Sequence, residues 1–317
     1  MHIVFYPTLF TLLVMAFVWL NGNFVEESLA SVSLHDTGLL HAAGVYTTMR
    51  SYEGHVFRLA QHLQRLRRSC EILFIPRQYK DDLLTAAVSE LLTRNNLADA
   101  RLRLTVTRGA VQQDPLHGPR LSPTVFLTAT ALEPYPAEFY ERGLTVAVVD
   151  DQKLNPYDIQ AGHKTLNYFS RHHALRDATQ RGAGEALWFN VHNYLQSGSI
   201  SNVFLVKNDQ ILTPPTPTDL QDRTLADTIP YPKSATLPGI TRQTVVDLAK
   251  QLNLPLTPAA ITINQLLEAD ELFLTNSIMG LMPVCRVESR PIGNDRPGPI
   301  TQRLTELYQD EIIRNIG

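Results

Sequence analysis

The chain has 317 residues, 44% hydrophobic and 19% charged, with a formal net charge of -3. That length exceeds one small core and suits two domains, so a cleft between them is the default place for chemistry. The charge balance lacks the basic excess needed to bind a phosphate backbone, so nucleic acid is not an expected partner.

In chain order, Phe5 to Leu20 is nearly all apolar. It is shorter than the roughly 20 residues a spanning helix needs, no Lys or Arg precedes it and no small-residue cleavage site follows it. No membrane partner is therefore expected; residues 1–14 read as an upstream extension of the reading frame or a weakly ordered tail, with the functional chain starting near Met15. From Phe17 the pattern is a strand, an Asn21-Gly22 turn and a second strand. Ala30 to Leu34 reads as a strand, Asp36-Thr37-Gly38 as a turn, and Gly44 to Arg50 as a β-rich run. Leu59, Leu63, Leu66 and Cys70, then Leu83, Leu84, Ala87, Leu91 and Leu92, recur at helical spacing and predict two amphipathic helices behind the sheet. Arg101 to Thr107 alternates polar and apolar residues, and Thr124 to Thr128 is a further strand, so residues 15–133 form a small α+β domain.

Two prolines in Glu133-Pro134-Tyr135-Pro136 mark residues 134–142 as the interdomain linker. The larger domain, 143–317, is predicted to carry strands at Leu144 to Val149, Ala186 to Val191, Val203 to Lys207 and Leu272 to Thr275, with helices at Asn167 to Arg181 and Gln243 to Gln251. Thr213 to Leu237 is rich in Pro, Asp and Thr, without periodicity, and reads as a weakly ordered surface loop. Cys70 and Cys285 match no metal-ligand or redox spacing, so no metal is expected; two reduced thiols point to a cytoplasmic location.

Three segments carry chemistry. Gly162-His163-Lys164 puts a lysine after a glycine turn and just ahead of a helix. Leu237-Pro238-Gly239-Ile240-Thr241 is a Pro-Gly turn opening a helix, a construction that offers free backbone N–H groups and a hydroxyl to a phosphate. Arg65, on the first amphipathic helix, could grip the same anion with its guanidinium.

Together with Trp19-Leu20-Asn21-Gly22, Val45-Tyr46-Thr47-Thr48, Val106-Thr107-Arg108-Gly109, Lys164 to Tyr168 and Ser199 to Phe204, these segments resemble the class IV aminotransferases, the fold-type IV pyridoxal-phosphate enzymes. The resemblance runs from Trp19 to about Tyr308. It implies an α+β, two-domain fold like that of D-amino-acid aminotransferase, with a pseudobarrel in the larger domain, and a homodimer acting on a small-molecule amino substrate. It makes Lys164 the Schiff-base lysine and general acid/base. Arg65, Ile240, Thr241 and Ser277 would hold the phosphate, Leu237 would pack on the pyridine ring, and Tyr46 and Arg108 would bind a substrate carboxylate.

One position departs from the family pattern. Where a glutamate usually pairs with the pyridine nitrogen, this chain has Ser197, and no other carboxylate lies nearby in sequence. A hydroxyl can hydrogen-bond the nitrogen but does not keep it protonated, which weakens the ring as an electron sink and suits elimination better than transamination. Leu274 to Val284 and the Thr47-Thr48 pair are similar to aminodeoxychorismate lyases, so the expected reaction is conversion of 4-amino-4-deoxychorismate to 4-aminobenzoate and pyruvate for folate synthesis. The alternatives are an aminotransferase of branched-chain or D-amino acids, and a degenerate paralogue with little activity.

Overall fold

The structure, a computed structural model, describes residues 16–114 and 118–316; the expected extension at residues 1–14 lies outside them. The chain opens with the hairpin β1 (Phe17–Leu20) and β2 (Asn23–Glu26). Its turn residues Asn21 and Gly22 both have positive φ, the geometry an Asn-Gly pair adopts most readily. The expected strand from Ala30 to Leu34 does not form. That segment finds no ladder partner, and Asp36 instead caps the short helix α1 (Thr37–His41) by accepting from Gly38 N–H. The buried Asp36 carboxylate also accepts from the Thr107 and Thr124 hydroxyls, which anchors this corner to the sheet.

β3 (Gly44–Tyr52) and β4 (His55–Val56) follow, then the amphipathic helices α2 (Leu59–Ile72) and α3 (Asp81–Arg94), then β5 (Ala100–Thr107). A hairpin of β6 (Ala110–Asp114) and β7 (Gly118–Ser122) precedes β8 (Val125–Ala131). Six of these strands form a sheet ordered β2-β1-β8-β5-β3-β4. The β3–β5 register pairs Val45 with Val106 and Met49 with Leu102 on one face, and Tyr46 with Thr105, Thr48 with Arg103 and Arg50 with Arg101 on the other. The first face packs α2 and α3 through Leu63, Leu66, Val88 and Leu91. The second is polar because it lines a cavity.

The expected linker is a helix, α4 (Ala137–Arg142). Its Phe139 and Tyr140 pack on the core of the larger sheet, so the residues after the two prolines form a packed element. β9 (Leu144–Val148), α5 (Phe169–Gln180), β10 (Glu185–Phe189), β11 (Leu195–Gly198), β12 (Asn202–Lys207) and β13 (Gln210–Thr213) come next. Beyond the short α6 (Arg223–Ala226) lie α7 (Ile240–Gln251), β14 (Leu256–Pro258), α8 (Ile263–Leu267), β15 (Glu271–Asn276), β16 (Gly280–Val287), β17 (Arg290–Pro291) and a long closing helix, α9 (Pro299–Ile316). The larger sheet is mixed, ordered β11-β10-β9-β16-β15-β12-β13-β14 with β17 on β16. Phe204, Phe273, Val245, Leu248, Leu304 and Tyr308 form the core between it and helices α7 and α9.

The stretch from Thr213 to Leu237 is far more ordered than its composition suggests. Tyr231, Ser234 and Thr236 are buried. The Gln196 side chain on β11 accepts from Ala235 N–H at 3.0 Å and from the Ser234 hydroxyl at 3.2 Å. The loop gains order by hydrogen bonding to a strand where it lacks apolar area. Cys70 and Cys285 are buried and unpaired, and no helix among the described residues is long and apolar enough to cross a membrane.

Candidate active site

Residues 164–166 run along the free edge of β3. Tyr46 N–H donates to Lys164 O and Leu166 N–H to Gly44 O, both at 2.9 Å, around a Val45–Thr165 bridge. The lysine backbone is thus pinned to the small sheet, while the Tyr168 hydroxyl donates to Ser199 O of the larger domain at 2.9 Å. Lys164 sits at the seam, its Nζ 4.8 Å from the Tyr46 ring centroid and 5.1 Å from that of Tyr168. Burial first, then the charges of Arg65, Arg171, Arg103 and Arg101, push its amine down to about 7. Every charge that moves it is a cation, so the neutral, nucleophilic amine is favoured near neutral pH.

Lys164 faces a cavity of about 450 Å³ that it shares with Arg65 and the start of α7, within the ~300–1,000 Å³ usual for small-molecule sites. Gly239 is the N-cap of α7 and offers no side-chain acceptor to the first turn, leaving its N–H groups for an anion. Glycine is needed there by contact: a Cβ would stand 2.0 Å from Asn202 Oδ1, and Asn202 Nδ2 holds the turn by donating to Leu237 O at 2.9 Å. Arg65 is aimed by its own partners, donating to Pro238 O at 3.2 Å and to Thr47 Oγ1 at 3.1 Å. Since Thr47 Oγ1 accepts from Arg65, its proton goes to His62 Nδ1, 2.8 Å away. His62 is therefore an acceptor there, and burial, with Arg65 and Lys164 nearby, holds it well below the usual imidazole range. Ser277 lines the same cavity, as does Thr275, whose Oγ1 is buried with no hydrogen-bond partner among the described residues.

The cavity brings together Tyr46, Arg65, Lys164, Ser197, Leu237, Ile240, Thr241 and Ser277. Arg108 is the exception. It is exposed at the end of β5 and does not line the cavity of this chain. Its place beside Tyr46 is taken by Arg103, whose guanidinium lies 3.6 Å from the Tyr46 ring centroid; Arg103 Nε donates to Thr105 Oγ1, leaving the terminal nitrogens for a carboxylate. Arg101 lines the cavity one register pair further on. The alternation of β5 puts residues 101, 103 and 105 on one face, and the register with β3 makes that the face carrying Tyr46.

At the opposite wall Ser197 is buried at the end of β11, and Arg171 on the first turn of α5 reaches it. Arg171 Nη1 donates to Ser197 Oγ at 3.1 Å and to Gly198 O at 2.9 Å. Glu185, distant from Ser197 in sequence, lies behind Gly198: a Cβ on that glycine would be 2.7 Å from its Oε2. Nothing in the local sequence marked Arg171 or Glu185. Among the described residues no group of three or more His, Cys, Asp and Glu could hold a metal.

Comparison with known proteins gives the family. Residues 44–287 match the family described as Amino-transferase class IV. A protein of Methanocaldococcus jannaschii that carries the assignment branched-chain-amino-acid aminotransferase is 34% identical over 92% of this chain and 95% of the relative. A D-alanine aminotransferase of Bacillus licheniformis is 29% identical over 93% and 97%. Among solved structures, the branched-chain amino acid aminotransferase of Escherichia coli superposes with a TM-score of 0.82 at 28% identity, covering 93% of this chain and 94% of the other. A T.th. branched-chain amino acid aminotransferase, solved with pyridoxamine 5'-phosphate, gives 0.82 at 26% identity, covering 95% of each. A Legionella pneumophila protein assigned as a 4-amino-4-deoxychorismate lyase reaches 0.76 at 20% identity, over 90% of this chain and 97% of the other, a likeness of fold alone.

Proposed function

Because the chain belongs to the class IV aminotransferase family, we propose that it is a pyridoxal-phosphate transaminase that moves the amino group of an aliphatic amino acid to a 2-oxo acid. The observation that carries this reading is one cavity holding the half-buried Lys164 amine together with an anion cup made by a helix N-terminus and an arginine.

The cavity fits the family's cofactor: the cup is built on a helix N-terminus that Asn202 fixes in place, and Thr275 Oγ1 is buried without a hydrogen-bond partner among the described residues. Arg65, the Ile240 and Thr241 N–H groups, the Thr241 hydroxyl and Ser277 would hold the phosphate. Leu237 would pack on the ring and Ser197 would meet its nitrogen. When bound, the cofactor supplies an aldehyde that takes up an amine and a ring that draws electrons from the amine-bearing carbon. Lys164 would anchor it and, released, move the proton between substrate Cα and cofactor C4′; its lowered proton affinity lets one amine act as both base and acid near neutral pH. Tyr46 and Arg103 would orient the substrate carboxylate, and Tyr168, held by Ser199 O, screens the amine from water.

The branched-chain relatives support an aliphatic donor over the expected chorismate-derived substrate. Two of the cues that suggested a lyase, the Leu274 to Val284 stretch and Thr47, have structural work here. Asn276 Oδ1 accepts from the N–H groups of Ile278 and Met279, and Thr47 bridges His62 and Arg65, so neither reports on substrate. A homodimer is supported by the exposed apolar run Leu29, Val32, Leu34, Leu39 and Leu40, which a monomer would leave in water. The test is to load the purified protein with cofactor and supply 2-oxoglutarate with L-leucine, L-valine or D-alanine, and separately aminodeoxychorismate. Glutamate should accumulate with the L-aliphatic donors. Release of 4-aminobenzoate without any transamination would return the lyase reading.

A further inference from the structure

The wall opposite the anion cup carries a charge of the wrong sign for a protonated pyridine. Arg171 is fixed there by three acceptors on consecutive residues, Ser197 Oγ at 3.1 Å, Gly198 O at 2.9 Å and Ser199 O at 3.3 Å, with its guanidinium carbon 5.6 Å from the Trp188 ring centroid and 5.7 Å from that of Tyr168. A guanidinium has no acceptor, so Ser197 Oγ accepts from it and the Ser197 proton remains to be donated into the cavity.

Among the described residues no carboxylate forms an ion pair with Arg171. Glu185, behind Gly198, already accepts from Ala186, Ser199 and Ile200 N–H and from the Ser201 hydroxyl, and it does not line the cavity. Among the described residues Asp158 is the only carboxylate that lines the cavity; it is exposed, and its Oδ1 accepts from Gln160 N–H. The other charged groups that line the cavity, Arg65, Arg101, Arg103, Lys153 and Lys164, are basic, and the two histidines there, His163 and His172, can add only positive charge.

We propose that Arg171, acting through Ser197, keeps the ring nitrogen of the bound cofactor unprotonated, as the acceptor of the Ser197 O–H hydrogen bond. This rests on the cofactor seating proposed above. Arg171 is a positioning residue: it orients the Ser197 hydroxyl and makes a second positive charge at the ring nitrogen unfavourable. The arrangement would reverse the usual logic in which a carboxylate holds the proton on the ring, and Lys164 would move the Cα proton with a weaker electron sink beside it.

The experiment is nitrogen NMR of the holoprotein reconstituted with pyridoxal phosphate carrying 15N in the ring. In the unmodified protein the resonance should sit at the free-base position and stay there across the neutral pH range. Ser197→Glu should move it upfield to the pyridinium position. Arg171→Met should let it begin to move upfield as pH is lowered, whereas Arg171→Lys, which keeps the charge, should hold it at the free-base position. A pyridinium resonance in the unmodified holoprotein overturns the proposal whatever the variants do, as does an Arg171→Met spectrum identical to the parent's at every pH. Failure to take up the labelled cofactor would be a different result, removing the assignment of the cavity itself.

Discussion

At position 164 the amine meets burial and four arginines, and both act in the same direction: its neutral form is stabilised far below the pH at which a lysine in water loses its proton. The attacking species is the neutral amine, so the rate of covalent cofactor uptake should rise with pH and level off above about 7, falling about tenfold per unit below it. Stopped-flow absorbance with added pyridoxal phosphate measures this; a midpoint near the ordinary lysine value would contradict it. On the substrate side, Arg103 and Arg108 make opposite forecasts. Arg103→Leu should raise the KM for the amino donor by roughly tenfold to a hundredfold, the worth of a charged hydrogen-bonded pair, with kcat changing less, and Arg108→Leu should leave KM near the parent value. Equal effects would mean that Arg108 reaches a cavity it does not line in a single chain. Of the two, only Arg108 stands in a run resembling the family pattern, and the alternation that points Arg103 inward becomes informative only once Tyr46 is placed opposite Thr105.

The element that matters most is the first turn of α7, held against β11 and β12 by Asn202 and by the Gln196 contacts to Ser234 and Ala235. These contacts fix the anion cup relative to Ser197 through backbone and amide hydrogen bonds. Gly239→Ala places a methyl within 2.0 Å of Asn202 Oδ1, so the turn must shift and cofactor affinity should drop tenfold or more, about 1.4 kcal/mol; fluorescence titration of the cofactor-free protein measures it, and unchanged affinity would show that the turn adapts. The Pro-Gly turn itself was plain in the sequence, because Pro and Gly leave few conformations open. The helix behind it was expected to begin at Gln243 and begins at Ile240, since propensity does not reveal a start set by a tertiary contact. The same gap explains Ala30 to Leu34, where β propensity found no partner strand, and the loop ending at Leu237, ordered by a glutamine on a distant strand. Arg171 lay beyond local reading altogether: seven residues from Lys164 on a polar helix, it acquires meaning only when α5 is laid against β11.

For the whole molecule, two sheets meet beside the edge of β3, where the segment 164–166 bridges to Val45, and each supplies one wall of the cavity. Length and the two blocks of alternating elements suggested two units; the packed helix inside the expected linker, at residues 137–142, was not legible, because its apolar Phe139 and Tyr140 follow prolines that punctuate the sequence like a loop. The exposed leucines at 29, 34, 39 and 40 predict a sedimentation mass of twice 35.6 kDa, with Leu34→Asp shifting the protein toward monomer; a monomeric parent at micromolar concentration would contradict the pairing. The claim on which the rest depends is tested most directly by reducing the holoprotein with borohydride and mapping the phosphopyridoxyl group by peptide mass spectrometry. The modification should fall on Lys164 alone; finding it on Lys153, the other lysine lining the cavity, or on no lysine at all, would contradict the account.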